Sequence, residues 1–492
     1  MLHRREFIIP HLNFSPFYDK PILTYWLIMA SYVNFGVSTF AARLPSALCA
    51  VGTAMAVYVI SRSFLNRRAS ILSTLALLTM PLFVIVGHVA LTDMPLTFLT
   101  SVANLVLLLA LIRGHFKYLF VAYVALGFAV LSKGPLALVL TGTCIGGFLL
   151  VSSSSITDFR NRFLSIKPVA GCLVLLAVAA PWFYAAHVAT AGAFTSYFFI
   201  DQNFGRLFGH LPSHLYPIWF YVPFILGGFV PSLPLLIGAP IVFKIRLRQA
   251  QMTARHQLII AMICWFAGTL LLLLLSASKL PTYLLPLSTP IAILTGVYLD
   301  TIIRLGRRRF ILWGAPVLVL GGLISLLIFP KMFDGADDLY SLAVASTSIF
   351  VLGYTAYGVL VFMSQLKKGV VVLYAASFLA CASLVPIAIQ RIYRLGPESL
   401  EHLVNIAASS KDANIAVIEQ ESPKAAFYAR RKVFEINGPF EFEKFLLLSD
   451  GPHFVILDDK NLAIMRPFFP TRVDLVSKRG KWNLFAMEDI KQ

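Results

Sequence analysis

Charge is what this sequence has least of: Asp, Glu, Lys and Arg make up 13% of its 492 residues. A soluble domain carries about a quarter, so the chain cannot cover itself with a water-facing surface, and a soluble enzyme of this size is excluded. Acidic residues are the scarcer sign, 23 against 41 basic ones, for a net charge of +18. In a soluble protein that excess would raise nucleic acid as a partner. Here 58% of the residues are hydrophobic, membrane topology accounts for most of the excess, and no nucleic-acid partner is expected. Cysteine is also sparse: Cys49, Cys144, Cys172, Cys264 and Cys381 all fall in apolar segments without metal-ligand spacing. They are expected as small buried hydrophobes. A glycine-rich phosphate loop and a nucleophile elbow are both missing from the charged C-terminal stretch, which leaves the chemistry to the apolar part of the chain.

Long apolar runs dominate that part. They are continuous rather than alternating, so they predict membrane-spanning helices and not barrel strands. The runs place spans at about 45–64, 69–88, 96–113, 115–132, 135–152, 168–188, 217–243, 257–277, 282–303, 311–330, 343–364 and 370–391. Alternate loops are thick with base: Arg62, Arg67 and Arg68; Arg113 and Lys117; Arg160, Arg162 and Lys167; Lys244, Arg246, Arg248 and Arg255; Arg304, Arg307, Arg308 and Arg309; Lys367 and Lys368. The short loops between them carry only Arg43, Lys133, Arg206, Lys279 and Lys331. By the positive-inside rule the first set is cytoplasmic, which puts residues 1–44 and 392–492 outside. Residues 22–38 form one more apolar run, interrupted by Thr24, Ser31 and Asn34 and carrying Tyr25, Trp26 and Tyr32. That composition predicts a helix lying in the outer interface, with a true span as the alternative.

After Gln390 the composition turns polar. Strands are expected at Asn414–Glu419, Lys432–Ile436, His453–Asp458, Arg472–Ser477 and Trp482–Met487, with helices at Lys424–Arg430 and Glu441–Leu448. The fold class is therefore an all-α polytopic membrane domain of about 12 transmembrane helices plus interfacial helices, followed by a small C-terminal α/β domain. The boundaries are an outer loop with an interfacial helix at 1–44, the membrane domain at 45–391 and the outer domain at 392–492. Asp458 and Asp459 follow a strand, which could mark a site, but the position reads better as a solvated loop.

The few charges on the outer side gather in short motifs at the mouths of spans: Phe17-Tyr18-Asp19-Lys20-Pro21, Thr92-Asp93-Met94-Pro95, Ser132-Lys133-Gly134-Pro135 and Ser278-Lys279-Leu280-Pro281. Charge placed there against a desolvation cost points to a site that handles a charged group. Each motif also has a plain reading. Lys20 and Lys133 can snorkel to the interface. Asp93 can complement the dipole at a helix start. Pro281 and Pro286 free backbone groups that need polar company, which favours a cavity over lipid. Arg206, in the long aromatic loop from 188 to 216, is a further phosphate candidate. His210 and His214 are separated by Pro212 and do not share a helical face. Together, Lys20, Lys133, Arg206 and Lys279 with two or three carboxylates suit a ligand with an anionic head and a lipid tail, and acid–base chemistry beside that head.

The wording of these motifs resembles the GT-C type glycosyltransferases that use a polyprenyl-phosphate sugar, in particular the lipid A aminoarabinose transferase and the protein O-mannosyltransferase-like families. The phrases that carry it are Pro16-Phe17-Tyr18-Asp19-Lys20-Pro21-Ile22-Leu23-Thr24-Tyr25-Trp26, Ala41-Ala42-Arg43-Leu44-Pro45-Ser46-Ala47, Asp93-Met94-Pro95-Leu96, Leu131-Ser132-Lys133-Gly134-Pro135, Pro181-Trp182 and Ser278-Lys279-Leu280-Pro281-Thr282-Tyr283-Leu284-Leu285-Pro286. The resemblance covers roughly residues 4–300. It implies a multi-pass protein of a bacterial inner membrane whose C-terminal domain is periplasmic. A sugar would move from a polyprenyl-phosphate donor to a lipid A-like glycolipid or protein acceptor on the periplasmic face, with inversion at the anomeric carbon. Membrane lipids are the remaining expected partners.

Carried over by position, Asp19 and Asp93 are the catalytic carboxylates, Asp19 is also the metal-associated one, and Lys20, Lys279, Arg206 and Lys133 bind the donor phosphate. A divalent metal is the one cofactor the resemblance brings in. Asp201-Gln202-Asn203 stands where many relatives have a histidine, which counts against that metal. The resemblance also implies a first transmembrane helix and an outer loop opening with Asp-Glu, whose Asp is the family's expected catalytic base or acceptor-activating group, ahead of the position of Arg4-Arg5; this chain is expected to begin after them. Two other classes remain open on sequence: a transporter or flippase for a lipid-linked sugar, and a catalytically inactive truncated homologue.

Overall fold

The computed structural model describes residues 1–492 apart from 3–4, 206–215, 244–251, 308–313, 329–336, 396, 411, 449–450, 471 and 488–492. The described residues divide into two compact units. One comprises residues 2–10 and 18–385, the other Met1, 11–17 and 386–492.

The first unit is helical. Its opening helices are α1 (Leu23–Phe35), α2 (Thr39–Ser61), α3 (Arg67–Leu78), α4 (Pro81–Gly87), α5 (Asp93–Arg113), α6 (Leu119–Lys133), α7 (Leu136–Ser152), α8 (Ile156–Ser165) and α9 (Pro168–Ala189). The caps are legible in the sequence. The Ser38 side chain accepts from the Ala41 N–H at 3.1 Å and starts α2. The Asn66 side chain accepts from the Ala69 N–H at 2.8 Å and starts α3. Gly114, in the left-handed region, ends α5.

Among the described residues, eight helices are long and apolar enough to cross a membrane: Thr39–Ser61, Asp93–Arg113, Phe116–Lys133, Pro168–Ala189, Ala254–Leu275, Pro281–Leu305, Leu339–Phe362 and Leu366–Ile387. Two of the expected spans are broken rather than straight. The run at 69–88 bends by 66° between α3 and α4, and the run at 217–243 bends by 88° between Ile218–Gly228 and Ser232–Phe243. Proline begins α4 at Pro81, and Pro231 lies in the second break, each removing a backbone donor where the helix would have continued. The expected segments at 135–152 and 311–330 contain shorter apolar helices, α7 and Gly314–Ile328. Among the described residues, spans that meet the length and composition of a crossing thus number eight, or ten with each bent pair as one, where the sequence predicts about twelve. Helix α1, with 13 residues, reaches only about 20 Å, short of a hydrocarbon core.

Lipid-facing stripes are visible on the outer helices. Leu48, Val51, Met55 and Val59 on α2 are each more than half exposed, a helical period of apolar residues with no protein against them. Cys172 departs from the expectation of burial, because it is exposed in the same stripe of α9 as Val169, Leu173 and Leu176. At the centre, the helix Ser288–Leu305 lies against α3 so closely that a Cβ on Gly296 would overlap the Ser73 backbone nitrogen. Gly296→Leu is therefore expected to prevent this pairing and to abolish recovery of monodisperse protein in detergent, read by size-exclusion chromatography.

The second unit holds a five-stranded mixed sheet of order β4-β3-β5-β7-β6, with β3 Asn414–Ile418, β4 Phe434–Ile436, β5 His453–Asp458, β6 Val473–Arg479 and β7 Trp482–Met487. The β3–β4 and β3–β5 pairs are parallel; β5–β7 and β6–β7 are antiparallel. The helix Pro397–Ala408 covers one face through Leu400, Leu403, Val404 and Ala407, packed with Val417, Ile456 and Trp482. Asp458 and Asp459 both have structural roles. Asp458 accepts from the Asn461 backbone N–H at 2.9 Å, and Asp459 accepts from Asn483 at 2.9 Å and Lys478 at 3.0 Å. Those two partners, Asn483 first, hold the exposed Asp459 carboxyl below its usual range.

A short hairpin, β1 (His11–Leu12) with β2 (Ser15–Pro16), belongs to this second unit. Its turn residue Asn13, at φ 47°, uses its amide as a clamp. It donates to the Val433 carbonyl at 3.0 Å and to Glu435 at 2.7 Å, and accepts from the Val433 N–H at 3.1 Å. Asn is tolerated in that left-handed conformation better than alanine. Asn13→Ala should cost about 2–3 kcal/mol from three lost bonds and added strain, seen as faster hydrogen exchange at Val433 and its neighbours.

Candidate active site

The first unit contains a cavity of about 270 Å³ lined by Asp19, Lys20, Lys133, Pro135, Leu136, Val139, Phe198, Gln202, Asn203, Leu272, Leu273, Ser276 and Tyr283. Three of the expected site residues, from two separate motifs, line this one cavity, together with the aliphatic Leu136, Val139, Leu272 and Leu273. Charged and aliphatic side chains in one lining make an amphipathic cleft.

Asp19 and Lys20 reach it because the chain before α1 is held from several directions. Trp182 on α9 donates to the Ile8 carbonyl at 2.9 Å, and Trp26 on α1 donates to the Phe7 carbonyl at 2.8 Å. The Tyr18 ring meets Phe194 edge-on at 5.9 Å and Tyr197 at 6.5 Å. Phe194 in turn packs on Trp182 at 5.1 Å and stacks on Phe198 at 5.4 Å. Tyr25, one turn into α1, senses the same carboxylate: desolvation, and then the charge of Asp19, raise its phenol above the usual range, so it stays protonated.

Lys133 is the last residue of α6, and its ammonium donates to Asp93 at 2.6 Å, with both side chains less than a tenth exposed. The same ammonium lies 4.3 Å from the centroid of the Tyr283 ring. Asp93, in the first turn of α5, does not line the cavity and reaches it only through Lys133. Ser132 secures the same junction by donating to the Thr92 carbonyl at 3.1 Å. Lys279 is buried and donates to the Ser276 carbonyl at 2.6 Å, so it closes its own loop behind the cavity wall. Pro281–Leu287 forms a 3₁₀ helix, which carries Tyr283 inward. Arg206, like His210 and His214, lies outside the described residues.

Gly134 makes the Lys133 turn possible. It sits at φ +76°, and a Cβ there would fall 2.5 Å from the Phe198 ring, closer than any ordinary contact. Gly134→Ala should displace Phe198 or Lys133 and lower activity at least about tenfold, the cost of a small misplacement at a reacting centre. A kinetic assay on the purified variant checks it.

Sequence reasoning passed over Gln202 as a site residue. Tyr197–Gly205 is a π-helical turn, a distortion often found at functional sites, and it turns Gln202 into the cavity. Gln202 is buried, its amide nitrogen donates to the Tyr197 hydroxyl at 2.8 Å, and its carbonyl oxygen is buried without a partner among the described residues. Either orientation of the amide leaves one polar atom unmatched on the cavity wall.

The donor chemistry does not suit a protein-held metal. Asp19 shares the cavity with two ammonium groups and two side-chain amides, and no group of three or more His, Cys, Asp or Glu side chains converges among the described residues. A hard divalent cation wants several oxygens and no adjacent cations. The expected metal role of Asp19 therefore finds no supporting ligand set among the described residues.

Residues 19–184 match the family model described as dolichyl-phosphate-mannose-protein mannosyltransferase. The chain is similar to the undecaprenyl phosphate-alpha-4-amino-4-deoxy-L-arabinose arabinosyl transferase 2 of Proteus mirabilis, 28% identical over 301 residues, 60% of this chain and 52% of that protein. It is also similar to arabinosyl transferase 1 of the same description from Pseudomonas fluorescens, 27% identical over 332 residues, covering 66% of this chain and 58% of the relative. The match thus spans between half and three fifths of these curated relatives. In fold, it matches the crystal structure of ArnT from Cupriavidus metallidurans bound to undecaprenyl phosphate, with TM-score 0.79 and 18% identity over 99% of this chain and 91% of that one.

Proposed function

We propose, for a chain whose residues 19–184 match the family model described as dolichyl-phosphate-mannose-protein mannosyltransferase, that it is a GT-C type membrane glycosyltransferase. It takes a sugar from a polyprenyl-phosphate donor and passes it to a lipid A-like glycolipid or protein acceptor. The observation that carries this is that Asp19, Lys20 and Lys133 line the same cavity as the aliphatic Leu136, Val139, Leu272 and Leu273. A phosphate and the first isoprene units of its lipid need those two surfaces side by side. The donor class is supported by the relatives, two transferases named for an undecaprenyl phosphate-linked sugar and a fold match bound to undecaprenyl phosphate. The asymmetry of basic loops supports a site opening on the periplasmic face of the inner membrane, with 1–44 and 392–492 on that side and 45–391 as the membrane domain.

In this reading Lys20 binds the donor phosphate directly, as a point charge with three donors. Lys133 assists it, held in place by Asp93 and the Tyr283 ring. Asp93 is thus a positioning residue, and Lys279 steadies the Ser276 wall. Arg206 is carried as a further phosphate contact on the resemblance alone. Asp19 takes the proton of the acceptor hydroxyl as that oxygen attacks the anomeric carbon. The anomeric C–O bond to phosphate breaks, and its electron pair leaves on the polyprenyl phosphate, whose charge the lysines stabilise. Attack opposite the leaving group inverts the centre. The unmatched polar atom of Gln202 pairs with a sugar hydroxyl.

Binding of undecaprenyl phosphate to the purified chain, followed by native mass spectrometry, tests the donor site. Saturable binding weakened at least about tenfold in Lys20→Ala, roughly the worth of one charge-assisted contact, is expected. Equal binding by the variant and the parent would remove Lys20 from the site.

A further inference from the structure

A second cluster of charge lies in the same helical unit, among the base-rich loops. Asp300, near the end of the helix Ser288–Leu305, is fully buried. Three guanidinium groups converge on its carboxylate: Arg68 through Nε at 2.7 Å, Arg304 through Nε at 3.0 Å and Arg255 through a terminal nitrogen at 3.2 Å. Asn66 adds a fourth donor at 3.1 Å. Three positive charges against one negative leave an excess of two, concentrated around a single buried anion.

The three arginines are not equivalent. Arg255 is spent inward: its other terminal nitrogen donates to the Val297 carbonyl and the Thr301 hydroxyl, and its side chain is 21% exposed. Arg68 and Arg304 are 40% and 47% exposed, and among the described residues each bonds Asp300 through Nε. Their terminal nitrogens make no bond among the described residues and remain available as donors. A guanidinium pinned by one edge offers its remaining donors in a fixed fork, which suits the oxygens of a phosphate. Beside them Leu305 is 53% exposed and Ile71, one turn from Arg68, is 38% exposed, so apolar surface begins where the fork ends.

We propose that Arg68 and Arg304, oriented by Asp300, form a binding site for the phosphate headgroup of an anionic membrane phospholipid. A soluble phosphate ester would satisfy the guanidinium donors but would leave Leu305 and Ile71 uncovered. A lipid satisfies both, and basic groups at a membrane surface attract anionic lipid in this way. This site is separate from the cavity of the proposed transferase, and no residue is shared.

The test uses the full chain purified in a neutral detergent, with thermal unfolding read by intrinsic fluorescence. Added phosphatidylglycerol is expected to raise the unfolding temperature by about 3–5 °C, the scale of a saturating ligand on a large domain, and phosphatidylcholine is not. The double variant Arg68→Lys, Arg304→Lys keeps both charges on Asp300 but loses the outward forks; it should unfold near the parent temperature without lipid and lose most of the shift. The double variant Arg68→Gln, Arg304→Gln should lose all of it, with Arg255 left to neutralise Asp300. A shift retained in full by the folded lysine variant would overturn the proposal. So would an equal shift from glycerol phosphate, which would make the ligand a soluble ester.

Discussion

Replacing Lys20 with alanine is expected to lower sugar transfer by about 10²–10³-fold, the loss typical of one preorganised group facing developing charge. The leaving polyprenyl phosphate gains negative charge as the anomeric bond breaks. Lys20 and Lys133 are the two ammonium groups on the cavity wall, and Lys133 already faces the Asp93 carboxylate at 2.6 Å. Lys20 is the lysine proposed to contact that phosphate directly, so its loss is expected to cost the most. Asp19→Asn should cost a similar factor, because an amide cannot accept the hydroxyl proton. Neither change touches the helical core, so both variants should extract and elute as the parent does. Initial rates at saturating donor, alongside the elution profile, check both points.

Asp93→Asn is expected to have the other large effect, and on two readouts. The Asp93–Lys133 pair is buried on both sides. Removing one partner strands the other, at about 3–5 kcal/mol. The variant should lose most of its thermal stability margin and all measurable transfer. The double variant Asp93→Asn, Lys133→Met, which removes the stranded charge, should recover stability, since replacing a whole buried pair is close to neutral. It should not recover transfer, because the second ammonium beside the donor phosphate is gone. Recovery of both would show that the pair is structural alone.

Much of the site was legible, for a physical reason. Charges are so costly at the mouths of apolar spans that those present mark themselves, and Asp19, Lys20 and Lys133 did so before any contact was known. The division of labour among them was not legible. Nothing in Thr92-Asp93-Met94-Pro95 says that its carboxylate closes on Lys133, because that pairing depends on how α5 and α6 stand side by side. The inward turn of Gln202 depends on a π-helical distortion without a sequence signature. The Asn13 clamp joins residues 420 positions apart, beyond any local pattern. Other features had signals that went unread. Leu400, Leu403, Val404 and Ala407 keep a helical period in the segment that forms Pro397–Ala408. Pro81, after Thr79-Met80, marked the bend between α3 and α4 that reading one straight run from 69 to 88 smoothed over.

Sugar release from the donor decides the central claim most directly. The purified chain, in nanodiscs with a total bacterial lipid and envelope-protein extract, would be given a panel of polyprenyl phosphates carrying radiolabelled sugars. The account predicts that label from at least one donor becomes covalently attached to a glycolipid or protein, that free polyprenyl phosphate appears in equal amount, and that Asp19→Asn stops both. Donors that bind at the cavity yet stay intact with every sugar and acceptor offered would contradict it, and would make the cleft a carrier site for a lipid-linked sugar.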